Sequence, residues 1–364
     1  MSVQASVLNL NSPLTAAGAT WRSRTLTVIL MVAIAAIFWV DSRYPALLKR
    51  YHAGPQIKAT GELTFGQPYL VDRSMPLVTR VWRTTLNWLD ANRVGMTFSF
   101  LFGPAALTFL ATLRRRRTNS RYLNTLFGAV AGVPLAVCTN CVAPIAQGFL
   151  ASGMSNESVL ATMFASPALN VVVLAMTFAL FPVPVALLKL ATVFFLIFVF
   201  APAVASRALP GAASLPCALE IPVAETWPEA FLGIARSYAR GFWHVFRIAF
   251  PLMLLAAFLG ALLIELLPAQ ALFAPVTEGG ILLVELIAAF QPVPMAFDVA
   301  IAYIILTRGV PLPYVVTILC TLGIVSVYSL SIVGKSISWK VAVAAYATVA
   351  ALCTAAGLLM RSLG

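Results

Sequence analysis

GVPLAVCTNCVAPIAQG, residues 132–148, gathers two cysteines, a threonine, an asparagine and two prolines inside an apolar run. A helix facing lipid has no use for this composition. Proline removes a backbone donor and clashes with the preceding turn, so Pro134 and Pro144 predict breaks. Loose backbone groups are tolerated at membrane depth only where protein surrounds them. Either this stretch lies outside a membrane, or a membrane protein is built around it.

Composition decides between the two. Apolar residues make up 61% of the 364 and charged residues 10%, where a soluble domain carries roughly a quarter charged. Several apolar runs are long enough to span a bilayer. The formal net charge of +12 sits in loops between those runs, as orientation signals do. With no soluble basic domain, nucleic acid is not an expected partner. Five cysteines are no disulfide framework. Cys217, Cys320 and Cys353 read as small residues in helices or a loop, and only Cys138 and Cys141 are close neighbours.

Outward from the opening stretch, VGMTFSFLFGPAALTFLATL (94–113) reads as a span that stops at Arg114–Arg117. The positive-inside rule makes that loop cytoplasmic. Residues 41–93 are then an outside polar segment. The apolar run Thr25–Val40 is an uncleaved first helix with a cytoplasmic N-terminus. If residues 122–153 crossed once, Arg207 and the basic 236–247 region would lie outside. A hairpin that enters and returns keeps them inside, and the charges favour it. Spans at 158–180 and 186–205 follow, then a polar linker with Glu220, Glu225 and Glu229.

The second half repeats the pattern, with spans at 246–267, 312–333 and 341–360 and a proline-interrupted stretch at 281–308. At an offset of 156, Gly153 meets Gly309 and the two proline-broken stretches coincide. The expected fold is an all-α polytopic membrane protein of two inverted repeats. Each has three spans and one broken hairpin, after an N-terminal membrane helix. Its segments are 1–93, the first repeat 94–206, a cytoplasmic linker 207–242, and the second repeat 243–364. In such designs the binding site lies where the breaks meet, near the midplane.

Polar groups in hydrocarbon are costly and each needs a reason. Cys138 and Cys141 could hold one thiophilic ion or cycle as dithiol and disulfide, or simply pack. Thr139 and Asn140 would offer donors and acceptors at the hairpin tip, although Asn also serves as a helix cap. Asp298 and Glu285 are the expected proton carriers, with a capping role the plainer reading of Asp298. Gln291 sits at the second tip. Asn170 follows Pro167 in a helix break that would face the first tip, or in a plain kink. Pro292 and Pro294 interrupt the second hairpin. Lys189 and Glu265 lie nearer helix ends, where reaching for the interface explains them. No metal cluster or cofactor is expected.

The region from Pro134 to Asn170 resembles a predicted permease family of bacteria that includes the trivalent organoarsenical efflux permeases. Pro134-Leu135, Cys138, Pro144, Gly153 and Ser166-Pro167 carry the likeness. Where the family has its second cysteine this chain has Asn140, and Cys141 comes one residue later. The resemblance implies a polytopic inner-membrane permease with cysteines near the pathway.

The leading expectation is therefore a secondary transporter in a bacterial inner membrane, exporting a thiophilic small molecule and in contact with lipid. No GxxxxGK[ST] motif stands in the chain, so the proton gradient rather than ATP would drive it. A homo-oligomer remains open. The alternative is a membrane thiol-disulfide oxidoreductase using Cys138 and Cys141. A scaffold without a pathway would gain nothing from paired hairpins.

Overall fold

The computed structural model describes residues 20–48, 68–72, 74–113, 120–205, 226–266 and 275–363, and all of its regular structure is helical. Five helices are long and apolar enough to cross a membrane: Trp21–Leu48, Leu77–Ala111, Val183–Val204, Trp227–Leu266 and Trp339–Leu363. A bent pair, Asn156–Ala168 and Val171–Leu180, makes a sixth with 47° between its members. The chain is a multi-pass membrane protein.

In chain order the helices are α1 (Trp21–Phe38, prolonged by a π-turn), α2 (Leu77–Ala111), α3 (Arg121–Gly132), α4 (Thr139–Ala151), α5 (Asn156–Ala168) and α6 (Val171–Leu180). Then come α7 (Val183–Phe195, carried by a π-turn to Ala205), α8 (Trp227–Leu266), α9 (Glu278–Ala288), α10 (Phe297–Thr307), α11 (Leu312–Thr321), α12 (Val327–Ser336) and α13 (Trp339–Leu363). Polar caps start several of them. Thr20, Ser120, Asn170, Thr277 and Ser326 each accept a backbone N–H of the first turn, which satisfies one of the orphan donors there.

Side-chain contacts fix the direction of each helix. Arg80 pairs with Glu265 at 2.8 Å, and Tyr238 donates to Leu101 O, so α2 and α8 are antiparallel. Arg24 donates to Thr112 O, and Trp21 packs edge-on against Trp227. The starts of α1 and α8 and the end of α2 therefore share one end of the molecule. Because Arg24, Arg121, Arg236 and Arg240 cluster toward that end, it is the basic end.

From the basic end α3 runs inward to a 3-10 turn at Val133–Leu135, and α4 runs back. The second direction follows from α2. Gly95 lies against Cys141 and Gly103 against Pro144, so α4 is parallel to α2. The stretch 122–153 is thus a hairpin that enters and returns. α5 rises beside α3 with Asn124 donating to Glu157 and Thr162 donating to Gly128 O, and α6 completes the crossing. On the other side, Arg361 meets Glu278, and Tyr346 donates to Leu286 O. Hence α9 enters from the end opposite the basic one. α10 returns there, where Tyr303 packs on Phe181 at 6.1 Å.

The offset of 156 persists through these elements. α6 (Val171–Leu180) shifts onto the observed bounds of α12 (Val327–Ser336), and the start of α7 at Val183 onto that of α13 at Trp339. Gly153 and Gly309 both take positive φ, +83° and +87°. Each closes its helix with the same pair of bonds. Met154 N reaches Phe149 O as Val310 N reaches Ile305 O, and Gly153 N reaches Leu150 O as Gly309 N reaches Leu306 O. This is the left-handed helix stop that glycine favours. Asn170 and Ser326 fall on equivalent caps too, bonded to Val173 N and Ser329 N.

Several boundaries differ from expectation. α2 runs unbroken through residue 93, and α8 through residue 242, so both spans have amphipathic extensions that a hydropathy window cuts off. Pro144 does not break α4. A Cβ at Gly103 would stand 2.9 Å from Pro144 O, so α2 leaves the room that the distorted turn requires. Pro167 lies one residue inside the end of α5, while Pro134, Pro292 and Pro294 stand in true interruptions. Arg114–Arg117, most of the 207–242 linker and Cys217 lie outside the described residues.

Candidate functional site

The interruptions converge at the centre. The first hairpin turns through Ala136, which takes a left-handed φ of 47°, and Cys138 caps α4. The second turns through 289–296, ending on Ala296 at φ 63°. The α11–α12 break at 322–326 faces the first tip. Thr139 donates to Gly323 O. Asn140 donates to Val293 O at 3.1 Å, and its carbonyl oxygen accepts from Ser326 Oγ at 2.8 Å. Val327 N donates to Phe290 O, tying the second tip to the same break. Gly323 has φ +86°, and a Cβ there would meet the Asp298 carboxyl carbon at 3.1 Å. Only glycine serves both demands.

Cys138 and Cys141 are joined as a disulfide. The spacing follows from the cap. Sγ of Cys138 accepts from Cys141 N at 3.1 Å, which brings the side chains of the cap and of the third helical residue together. Both are buried. Asn92 Oδ1 lies 3.7 Å from Cys138 Sγ. Arg43 donates from Nε to Ala136 O at 2.6 Å and stacks over Phe38. Neither Asn92 nor Arg43 stood out in sequence, because both lie in stretches with other polar residues.

The charged groups are arranged as follows. Asp298, in the first turn of α10, pairs with Lys189 of α7, and each residue is only 3% exposed. Reaching for the interface therefore does not account for Lys189, whereas Glu265, one residue from the end of α8, is held there by Arg80 and Thr84. The missed signal was complementarity: a lone lysine in one apolar run and a lone aspartate in another. Glu285 is fully buried and accepts from Thr321 Oγ1 through one oxygen, while the other has no partner among the described residues. The same Thr321 hydroxyl lies 2.7 Å from Thr317 O. One hydroxyl proton serves one acceptor at a time, so a proton on Glu285 would complete the set.

The remaining expected residues fall at the rim. Asn170 is buried, and its amide is spent locally: it donates to Ser166 O and Pro167 O and accepts from Val173 N. Gln291 is at the second tip beside Gly260 and Pro292, and its amide nitrogen has no partner among the described residues. Trp88 Nε1 donates to Pro292 O and so braces that tip from α2. Among the described residues no group of three or more His, Cys, Asp or Glu could hold a metal ion.

Residues 107–362 match the model of the ArsP_1 family, described as a predicted permease. The chain belongs to that predicted permease family. The match spans from the end of α2 to the end of α13 and so takes in both hairpins and both broken helices. Searches of curated proteins and of solved structures find no match.

Proposed function

We propose that this permease-family protein is a secondary transporter of two inverted repeats, 94–206 and 243–364, joined by a cytoplasmic linker at 207–242. The segment 1–93 adds a membrane helix whose start is cytoplasmic. The shared offset of 156 and the entry of the hairpins from opposite ends support this reading. The observation that carries it is the bonding of one tip to the other half, Asn140 to Val293 and Ser326. Two half-membrane loops that meet at the centre leave only short barriers on either side.

The substrate is a thiophilic small molecule, such as a trivalent metalloid or organoarsenical, taken by the dithiol form of Cys138 and Cys141. Two molecules of a cellular thiol reduce the disulfide, giving two protein thiols and one external disulfide. Two hydroxyls bound to the trivalent centre then leave as water as two sulfurs replace them. Thr139, Asn140, Asn170 and Gln291 line the surroundings. Asp298 and Glu285 carry protons, with Lys189 as the cation that Asp298 releases when it is protonated. The location is a bacterial inner membrane.

Uptake and efflux in reduced vesicles, over a panel of arsenicals, soft metals and thiols with and without a pH gradient, test this reading. Transport of at least one thiophilic solute, lost in the double variant Cys138→Ser/Cys141→Ser, is the expected result. Unchanged transport of every such solute in that variant overturns the sulfur site. The disulfide at the start of α4 favours a second reading, a membrane thiol-disulfide oxidoreductase. Trapping of a mixed disulfide with a partner protein, in the absence of any solute flux, would select it.

A further inference from the structure

A second cluster of polar groups lies toward the basic end, further along the helix that carries the sulfurs. A cavity of about 440 Å³ opens between α4, α8 and α12. Gln147 comes from α4, His244 and Arg247 from α8, and Lys335 from the last turn of α12. Six residues separate Gln147 from Cys141, roughly 9 Å along a helix. The walls are thus the far ends of the two helices that carry Asn140 and Ser326.

No acidic side chain lines this cavity among the described residues. The four ion pairs found among the described residues involve neither Arg247 nor Lys335. His244 and Arg247 are three residues apart and so lie on one face of α8. The ends of α4 and α12 point their carbonyls this way, and each adds roughly half a negative charge. Two such ends offset about one of the two fixed positive charges, so the cavity stays positive. The second observation is Gln147. It is 3% exposed, and its amide oxygen has no hydrogen-bond partner among the described residues. A buried acceptor left open costs roughly 1–3 kcal/mol, and a ligand that brings a hydrogen would remove that cost.

From these groups we infer that the cavity is a binding site for a protonated oxyanion, such as hydrogen phosphate or a phosphate monoester. Arg247 and Lys335 hold the oxygens, and Gln147 accepts the remaining O–H. Arginine offers a planar fork suited to two oxygens, and lysine a mobile point charge. The acceptor distinguishes phosphate from sulfate, which carries no proton near neutral pH. The anion can come from solution or from a lipid headgroup, and both present the same group. The inference is independent of the transport reading, since it concerns occupancy of a cavity and not flux.

Equilibrium dialysis of radiolabelled inorganic phosphate tests it, using the full chain in nanodiscs of pure phosphatidylcholine. Saturable binding near one per chain is expected, at least tenfold weaker in Arg247→Gln/Lys335→Gln. Both side chains are exposed, so that variant should fold, and its melting temperature checks this. Sulfate should compete at least fivefold less well than phosphate, and Gln147→Leu should narrow that gap. If phosphate does not bind saturably, or the double variant binds it equally, the site does not exist. Adding a phosphatidic acid to the discs separates the sources: loss of phosphate binding identifies a headgroup site, and retention identifies a dissolved anion.

Discussion

Lys189 and Asp298, 109 positions apart in the chain, form one ion pair in the middle of the molecule, with both side chains almost wholly shielded from solvent. One comes from α7, the second span after the first hairpin, and the other from the returning arm of the second hairpin. Breaking a buried pair on one side strands a charge and costs about 3–5 kcal/mol, whereas replacing both partners by apolar residues can be neutral. Lys189→Met and Asp298→Leu should each lower the melting temperature strongly, and the double variant should recover most of it. Proton-driven flux should not recover. A double variant as unstable as the worse single one would show that the pair does not act as a unit.

Asn140 and Ser326 offer a sharper coupling test. Their bond of 2.8 Å links the first tip to the second broken span. Each single change to alanine should cost on the order of 1–3 kcal/mol. A double-mutant cycle should return a coupling of roughly 0.5–3 kcal/mol. Denaturant melts of the four proteins measure it. Strict additivity would mean that the tips do not hold one another.

Backbone contact between helices predicts a graded glycine series. A Cβ at Gly128 would run into the Ser158 carbonyl of α5, and one at Gly148 would stand 2.6 Å from Gly103 O. Nothing lies within 4 Å of a Cβ at Gly279. Gly128→Ala and Gly148→Ala should push the first hairpin away from its neighbours and cost about 1–3 kcal/mol or more. Gly279→Ala should be nearly silent in the same thermal melts.

The sulfur state is countable. The chain has five cysteines, and the structure joins two of them, so denatured, unreduced protein should take up three maleimides (five less two). After reduction it should take up five. Mass spectrometry reads both numbers. Five before reduction would mean that the resting protein carries the dithiol.

Sidedness follows from the antiparallel packing of α2 and α8. Single cysteines placed at positions 118 and 240, in a cysteine-free background, should react with an impermeant maleimide from the same face. One at 278 should react from the other. Opposite faces for 118 and 240 would undo the hairpin.

Much of this fold was legible because periodic strings and punctuation are local. Pro134 and the Pro292–Pro294 pair marked the interruptions, and Gly153 against Gly309 gave the register. The run of positive charge after residue 113, set against Arg207 and the basic 236–247 region, favoured a hairpin before any contact was known. What escaped was non-local or required space to be seen. Lys189 is ambiguous until Asp298 stands beside it. Pro144 is a helix breaker by composition, and only Gly103 on another helix makes room for it. Asn170 offered an amide in sequence, and only the structure shows that amide bridging the two helix ends at the break, to Ser166 O and Pro167 O on one side and Val173 N on the other.

The caps at Asn170 and Ser326 are positional twins, yet only Ser326 reaches the opposite tip. The twin of Asn140 is Ala296, which has no side chain with which to return the bond. The latch between the halves is therefore one-sided. In a transporter of the kind proposed above, this latch would favour the conformation in which it is closed. Such a bias would set how much of each conformation is populated, while the direction of net movement stays with the gradients.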